Sequence, residues 1–186
     1  MGLRIAIIGP EASGKTELAA TLARHFGGTA TEEYARRYFA ERALPADYAL
    51  NREEMCEVMA GQQAAEQGEG LLFIDSSTIH GPLYAGMTHV EGKLVFDFTK
   101  IDAKIMDYAT NGGYDAFVLC RPHAALGWND DGMRAMPELE DRNAFADACA
   151  AFVARYFAGK PCIVVDAGIW QQREAQARTN VKKLLG

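Results

Sequence analysis

Gly9-Pro10-Glu11-Ala12-Ser13-Gly14-Lys15-Thr16 fits the pattern G-x-x-x-x-G-K-[ST] without a mismatch. Before it, residues 3–8 (LRIAII) form a short apolar run rich in β-branched side chains, which reads as a buried strand. After it, residues 15–26 (KTELAATLARHF) place Leu18, Leu22, His25 and Phe26 on one helical face. Strand, glycine loop and helix together make a phosphate cradle. Gly9 and Gly14 allow the tight bend that turns successive N–H groups inward, and the helix N-terminus adds partial positive charge. The loop from Gly9 through Glu11, Ala12, Ser13 and Gly14 to Lys15 and Thr16 is the expected nucleotide site. Lys15 is expected to reach the β- and γ-phosphates of ATP, and the Thr16 hydroxyl to bind Mg²⁺.

The chain of 186 residues is one domain by length, taken as residues 1–186. Its 49% apolar and 24% charged residues are ordinary for a globular protein. A formal net charge of −6, with no basic block to offset it, argues against a nucleic-acid partner. No run approaches the ~18 apolar residues of a membrane span, and the N-terminus enters a strand without a signal peptide, so a cytoplasmic protein is expected. Cys56, Cys120, Cys149 and Cys162 lie far apart, with no C-x-x-C. Cys120 and Cys162 sit in apolar strand-like runs, so buried free thiols are expected there.

Further along, Gly27-Gly28 caps the first helix and residues 29–31 form a short strand candidate ending at Glu32-Glu33-Tyr34. A helix then stops before Pro45. Asn51, followed three residues later by Glu54, outlines a capping box for a helix with Met55, Val58 and Met59 inward. Residues 71–75 (LLFID) are an apolar strand ending in a carboxylate. Residues 76–87 read as part helix, broken near Gly81-Pro82, and Leu94, Phe98, Ile101, Ile105 and Tyr108 share a helical face. Residues 114–120 are the next strand. Residues 121–137 lack apolar periodicity and form a loop or lid, before a long amphipathic helix carrying Phe145, Cys149, Phe152 and Tyr156. Residues 161–166 are the last strand, and the final helix runs from about Trp170 to Leu185. Five apolar strands alternating with helices predict an α/β P-loop NTPase fold. Its sheet is parallel, doubly wound and five-stranded, with helices on both faces and a short lid.

Such loops serve GTPases, AAA-type ATPases and small-molecule kinases alike. There is no guanine-reading N-K-x-D, and the chain is short for an AAA module with a helical lid domain. An arginine-bearing lid that closes over ATP would neutralise charge in a dry site, which suits a kinase of a small acceptor.

The run GPEASGKT, EYARRYF, LLFIDSS, WNDDGMR resembles, in order and over nearly the whole chain, the nicotinamide riboside kinase domain of NadR proteins, in the P-loop nucleoside and nucleotide kinase-like group. The resemblance implies ATP-dependent phosphorylation of nicotinamide riboside to the mononucleotide, a step of NAD biosynthesis. Where that family often has D-T-D, this chain has Asp75-Ser76-Ser77. NadR proteins commonly carry an adenylyltransferase domain ahead of the kinase; a chain starting at the P-loop strand would be kinase only. Glu33 is assigned to the acceptor hydroxyl or base, and Asp75 to Mg²⁺ or base. Arg36 matches the E-Y-x-R arginine, and Tyr34 adjoins the acceptor. Arg134 is the lid arginine, Asp130 and Asp131 hold the lid or ribose, and Trp128 stacks on a base or pyridinium ring. Glu33 could instead serve the dipole of the next helix, Arg36 could be a solvated charge, and the aspartates plain turn formers. Two alternatives stay open: a kinase for another nucleoside or nucleotide, and a regulatory ATP-binding protein without efficient transfer. The oligomeric state is not readable from these residues.

Overall fold

The computed structural model describes residues 2–128 and 134–186. Five strands form one parallel sheet: β1 (Arg4–Ile8), β2 (Thr29–Thr31), β3 (Leu72–Asp75), β6 (Ala116–Cys120) and β7 (Cys162–Val165), in the order β2-β3-β1-β6-β7. A second, antiparallel pair consists of β4 (Met87–Val90) and β5 (Lys93–Phe96). The helices are α1 (Lys15–Phe26), α2 (Tyr34–Glu41), α3 (Arg52–Ala65), α4 (His80–Gly86), α5 (Ala103–Thr110), α6 (Leu139–Tyr156) and α7 (Trp170–Leu185). Single 3₁₀ turns span Phe98–Lys100 and Ala124–Leu126.

Period-two alternation in the strands divides the core. Ile5, Ile7, Phe73, Ala116 and Val118 pack with Leu18 and Leu22 of α1 and Ala177 and Val181 of α7. Ala6, Ile8, Leu72, Ile74, Phe117 and Leu119 pack on the other face with Met59 of α3, Leu83 of α4, Ile105 of α5 and Phe145 and Phe152 of α6. The central strands are therefore apolar on both faces, as a sheet covered on both sides requires. The register pairs Ile7 with Asp75, Thr31 with Ile74, Ile8 with Leu119 and Cys120 with Val165. All five carboxyl ends thus open on one edge, where ligands of such sheets bind.

The hairpin departs from the reading of the sequence. Leu94, Phe98, Ile101 and Ile105 have helical spacing, yet Leu94 lies in β5, and α5 begins only at Ala103. Glu91 and Gly92 both take positive φ, the requirement of a two-residue hairpin turn, and Val90 pairs with Lys93 across it. Asp97 and Asp102 then cap the next two turns through Thr99 N–H and Lys104 N–H, cutting a continuous helix at both points. Gly81-Pro82 does not break a helix either. Both residues lie in the first turn of α4, where N–H groups have no intrahelical partner and proline is tolerated. Cys162 is exposed on the edge strand, whereas Cys56, Cys120 and Cys149 are buried; all four are free thiols. Among the described residues no helix is long and apolar enough to cross a membrane.

The capping box of α3 is complete: Asn51 Oδ1 accepts from Glu54 N–H at 3.0 Å, and Glu54 Oε2 accepts from Asn51 N–H at 2.9 Å. Asn51→Ala should cost about 1 kcal/mol of unfolding free energy, read as a lower urea midpoint at unchanged m-value.

Candidate functional site

The loop between β1 and α1 is held from three sides. Gly9 takes φ 138°, and a Cβ there would come 2.3 Å from the carbonyl oxygen of Cys120 at the end of β6. Gly14 takes φ 80°, and a Cβ there would come 2.9 Å from the Trp170 ring at the start of α7. Only glycine meets both the conformation and the close approach. Inside the loop, Ser13 Oγ and Lys15 Nζ both donate to the Pro10 carbonyl, at 2.7 and 2.8 Å, and Ala12 takes φ 52°. Fully buried Arg173 of α7 donates to the Arg121 and Ala167 carbonyls, fastening the segments that follow β6 and β7 beside the loop.

The third support is His80, which sequence reasoning missed. Its Nε2 accepts the Gly9 N–H at 3.3 Å, so the ring is neutral with its proton on Nδ1. Burial, and then the Lys15 ammonium, hold its pKa well below the usual histidine range. A lone histidine beside Gly81-Pro82 carries no pattern by which a sequence would reveal it.

Asp75 is only 2% exposed, at the end of β3. Burial raises its pKa; Lys15 and a hydrogen bond from Thr16 act against that, as does the Arg36 charge, while Glu33 adds to it. The fold thus brings Lys15, Thr16, Asp75, Glu33 and Arg36 within electrostatic reach of one another, from three separate segments. Thr16 and Asp75 offer a hydroxyl and a carboxylate side by side, a hard-oxygen set that fits Mg²⁺. The described residues contain no cluster of three His, Cys, Asp or Glu able to hold a metal. A cation here would complete its shell with phosphate and water. Ser77, where the resemblance suggests a second carboxylate, is buried, and its hydroxyl has no hydrogen-bond partner among the described residues.

Glu33 sits at the N-cap of α2 but makes no capping hydrogen bond. Its Oε2 instead accepts from Arg36 Nε at 2.9 Å, so the pair presents a carboxylate and a guanidinium together at the end of β2. Tyr34 N–H donates to Gln62 Oε1 at 2.9 Å. Tyr84 of α4 is a further group that the sequence did not reveal. Its pKa is raised well above the usual phenol value by burial and by the Glu11 and Glu33 charges, so it keeps its O–H.

Glu11 joins the loop to the far side of the cleft. Its Oε2 accepts the N–H groups of Ala135 and Met136 at 2.8 and 3.0 Å. Burial raises its pKa, and those two bonds oppose the rise. Trp128 receives two guanidinium groups, Arg142 at 5.2 Å and Arg134 at 5.9 Å from the ring. Trp128 therefore packs against arginine, and Arg134 stands on the segment that Glu11 anchors. Arg142, also missed, is 4% exposed, and its Nε and Nη1 have no hydrogen-bond partner among the described residues. Asp130 and Asp131 lie outside the described residues.

The profile of a family described as an AAA domain (AAA_28) matches residues 4–173. The chain belongs to that AAA domain family. The helical lid domain for which the chain is short is not part of the described fold: α7, its last element, packs back on the sheet. Among solved structures, a NadR protein in complex with NAD and AMP-PNP superposes with a TM-score of 0.76 at 20% identity, covering 98% of this chain and 49% of the other. A NadR protein in complex with NR gives 0.75 at 21% identity, over 97% and 51%. A deoxyadenosine kinase from M. mycoides, with products dCMP and a flexible dCDP bound, gives 0.58 at 15% identity, over 98% and 100%. The chain spans about half the length of the NadR chains. The fold of this AAA-family chain is a P-loop NTPase α/β fold, shared with these structures.

A histidine whose folded pKa is depressed contributes stability above its unfolded pKa of about 6.5, and loses it as pH falls toward the folded value. Wild-type stability should therefore carry a His80-linked slope of up to about 1.4 kcal/mol per pH unit below pH ~6.5. Denaturation of His80→Gln over the same range should lack that slope. The raised carboxyls of Glu11, Glu66 and Asp75 act with the opposite sign and cancel in the comparison.

Proposed function

We propose that the chain is an ATP-dependent kinase of a small acceptor, nicotinamide riboside before others, yielding the mononucleotide. The observation that carries this reading is the meeting of Lys15, Asp75 and the Glu33–Arg36 pair at one sheet edge, with a phosphate cradle on one side and an acid–base pair on the other. The likeness to NadR structures, one holding AMP-PNP and another NR, supports both halves of that site.

In this reading the loop N–H groups bind the triphosphate, and Lys15 leaves the Pro10 carbonyl for the β- and γ-phosphates. Thr16 and Asp75 would hold Mg²⁺, which when bound neutralises phosphate charge. Glu33 orients the 5′-hydroxyl and takes its proton, while Arg36 keeps that carboxylate aimed. Arg134, and with it Arg142, face the charge that develops on the transferred group. The loop that Glu11 anchors excludes water.

A deoxynucleoside is the second acceptor class, favoured by the match to deoxyadenosine kinase over that chain's whole length. ADP release across a nucleoside panel separates the readings. Strong stimulation by nicotinamide riboside supports the first and stimulation by a deoxynucleoside the second. ATP binding without release leaves a regulatory protein.

Lys15→Ala should abolish transfer while the protein stays folded; near-normal turnover would remove the cradle from the reaction. Arg134→Ala should lower kcat by on the order of 10²-fold.

The two carboxylates separate by ratio. Asp75→Asn should depress transfer and acceptor-independent ATP hydrolysis together and weaken Mg²⁺ dependence. Glu33→Gln should depress transfer much more than hydrolysis. Equal losses in Glu33→Gln would place Glu33 outside the acceptor site.

A further inference from the structure

One buried amide joins the two acidic loop ends. Gln62 of α3 is 4% exposed. Its Oε1 accepts the Tyr34 N–H at 2.9 Å, the first peptide after Glu33. Its Nε2 donates to the Asp75 carbonyl at 3.4 Å and to Glu66 Oε1 at 3.3 Å. The partners fix which way the amide points, because the Tyr34 N–H can only donate and the carbonyl and carboxylate only accept. Neither a carboxylate nor an apolar side chain could satisfy all three.

Glu66, fully buried, carries the connection onward. Its Oε1 also accepts the Thr78 N–H at 3.1 Å, and its Oε2 accepts from Tyr114 Oη at 2.8 Å and Arg4 Nη2 at 3.3 Å. Two glycines show how closely the site segments seat on the same region. A Cβ on Gly61, beside Gln62, would come 2.2 Å from the Tyr34 ring. A Cβ on Gly81 of α4 would come 2.1 Å from Met59 Sδ of α3. The segments leaving β2 and β3 are thus both registered against α3, while Gln62 makes no contact with the phosphate loop in these hydrogen bonds.

We propose that Gln62 is a positioning residue that sets the placement of Glu33 relative to Asp75, and so acts on the acceptor step rather than on nucleotide binding. The proposal rests on the kinase reading for its effect on rate, but not for its effect on structure. Gln62→Met has similar reach and no polar end. In it, backbone amide exchange at Tyr34 should accelerate about fivefold or more, the loss of one buried hydrogen bond, with the β1 amides unchanged.

Acceptor-dependent kcat should fall by about fivefold or more, while AMP-PNP affinity stays within about twofold. In a double-mutant cycle with Glu33→Gln, the two losses should be strongly non-additive, because Gln62 acts through Glu33. Unchanged Tyr34 exchange, an equal loss of AMP-PNP affinity, or multiplicative losses would overturn the proposal. Should Gln62→Met not fold, Gln62→Glu decides. Its carboxylate still accepts the Tyr34 N–H but opposes Glu66 and the Asp75 carbonyl, so Tyr34 should stay protected while transfer falls; full kcat would overturn the proposal. If the wild type releases no ADP with any acceptor, the kinase reading falls, and the exchange measurement still decides the role of Gln62.

Discussion

The backbone at Gly9 is where the parts of this molecule are forced into one arrangement. Its α-carbon lies against the carbonyl that ends β6, and its N–H is given to His80 at the start of α4. No side chain fits that space, and no charged imidazole could accept that proton. A loop otherwise free to bend is thereby tied to the next strand and to the helix that follows β3. The loop is held in one shape in this way, so little ordering would remain to oppose the binding of a ligand there.

Preorganisation here requires burying charge. Asp75, Glu11 and Arg142 are withdrawn from water, and each desolvated ion costs on the order of several kcal/mol unless compensated. Compensation is uneven. Glu11 has two peptide N–H groups, and Asp75 has Lys15 and Thr16. Among the described residues Arg142 has the Trp128 ring, the weak 3.4 Å bond to the Pro137 carbonyl and the Glu11 field, and its Nε and Nη1 make no hydrogen bond. The same imbalance raises the carboxyl pKa values and lowers that of His80, so the cleft is tuned by desolvation more than by any single pair.

The segment after β2 is built differently. Glu33 and Arg36 are half-exposed and linked to each other, and their precision comes from what lies behind them. Through Gln62, Glu66 and the two glycine seats, α3 gives the segments after β2 and β3 a common rigid surface. The phosphate-loop segment and the segment after β2 therefore rest on separate supports, one at Gly9 and one at Gln62, and approach each other at Asp75.

The sequence by itself determined the elements that local rules specify. The phosphate loop, the five apolar strands, the complete box at Asn51 and the extent of α7 follow from periodicity, capping and glycine spacing, because each is decided within a dozen residues. Lys15 and Thr16 at the start of α1, Glu33 just after β2 and Asp75 at the end of β3 stand where the sequence put them, because each is fixed by its neighbouring strand. Local reading failed where two local signals competed. The helical spacing of Leu94 to Tyr108 yielded to the Glu91-Gly92 turn and to two aspartate caps, and Pro82 was harmless because it falls in a first turn. Only the tertiary structure decided the order of the strands. It also brought His80 to Gly9, Arg142 to Trp128, and Gln62 to both Tyr34 and Asp75. Those pairings join residues 13 to 71 positions apart, by donors and acceptors whose partners are chosen by packing. A glutamine on an amphipathic helix looks the same in sequence whether it meets water or the backbone of two buried loops.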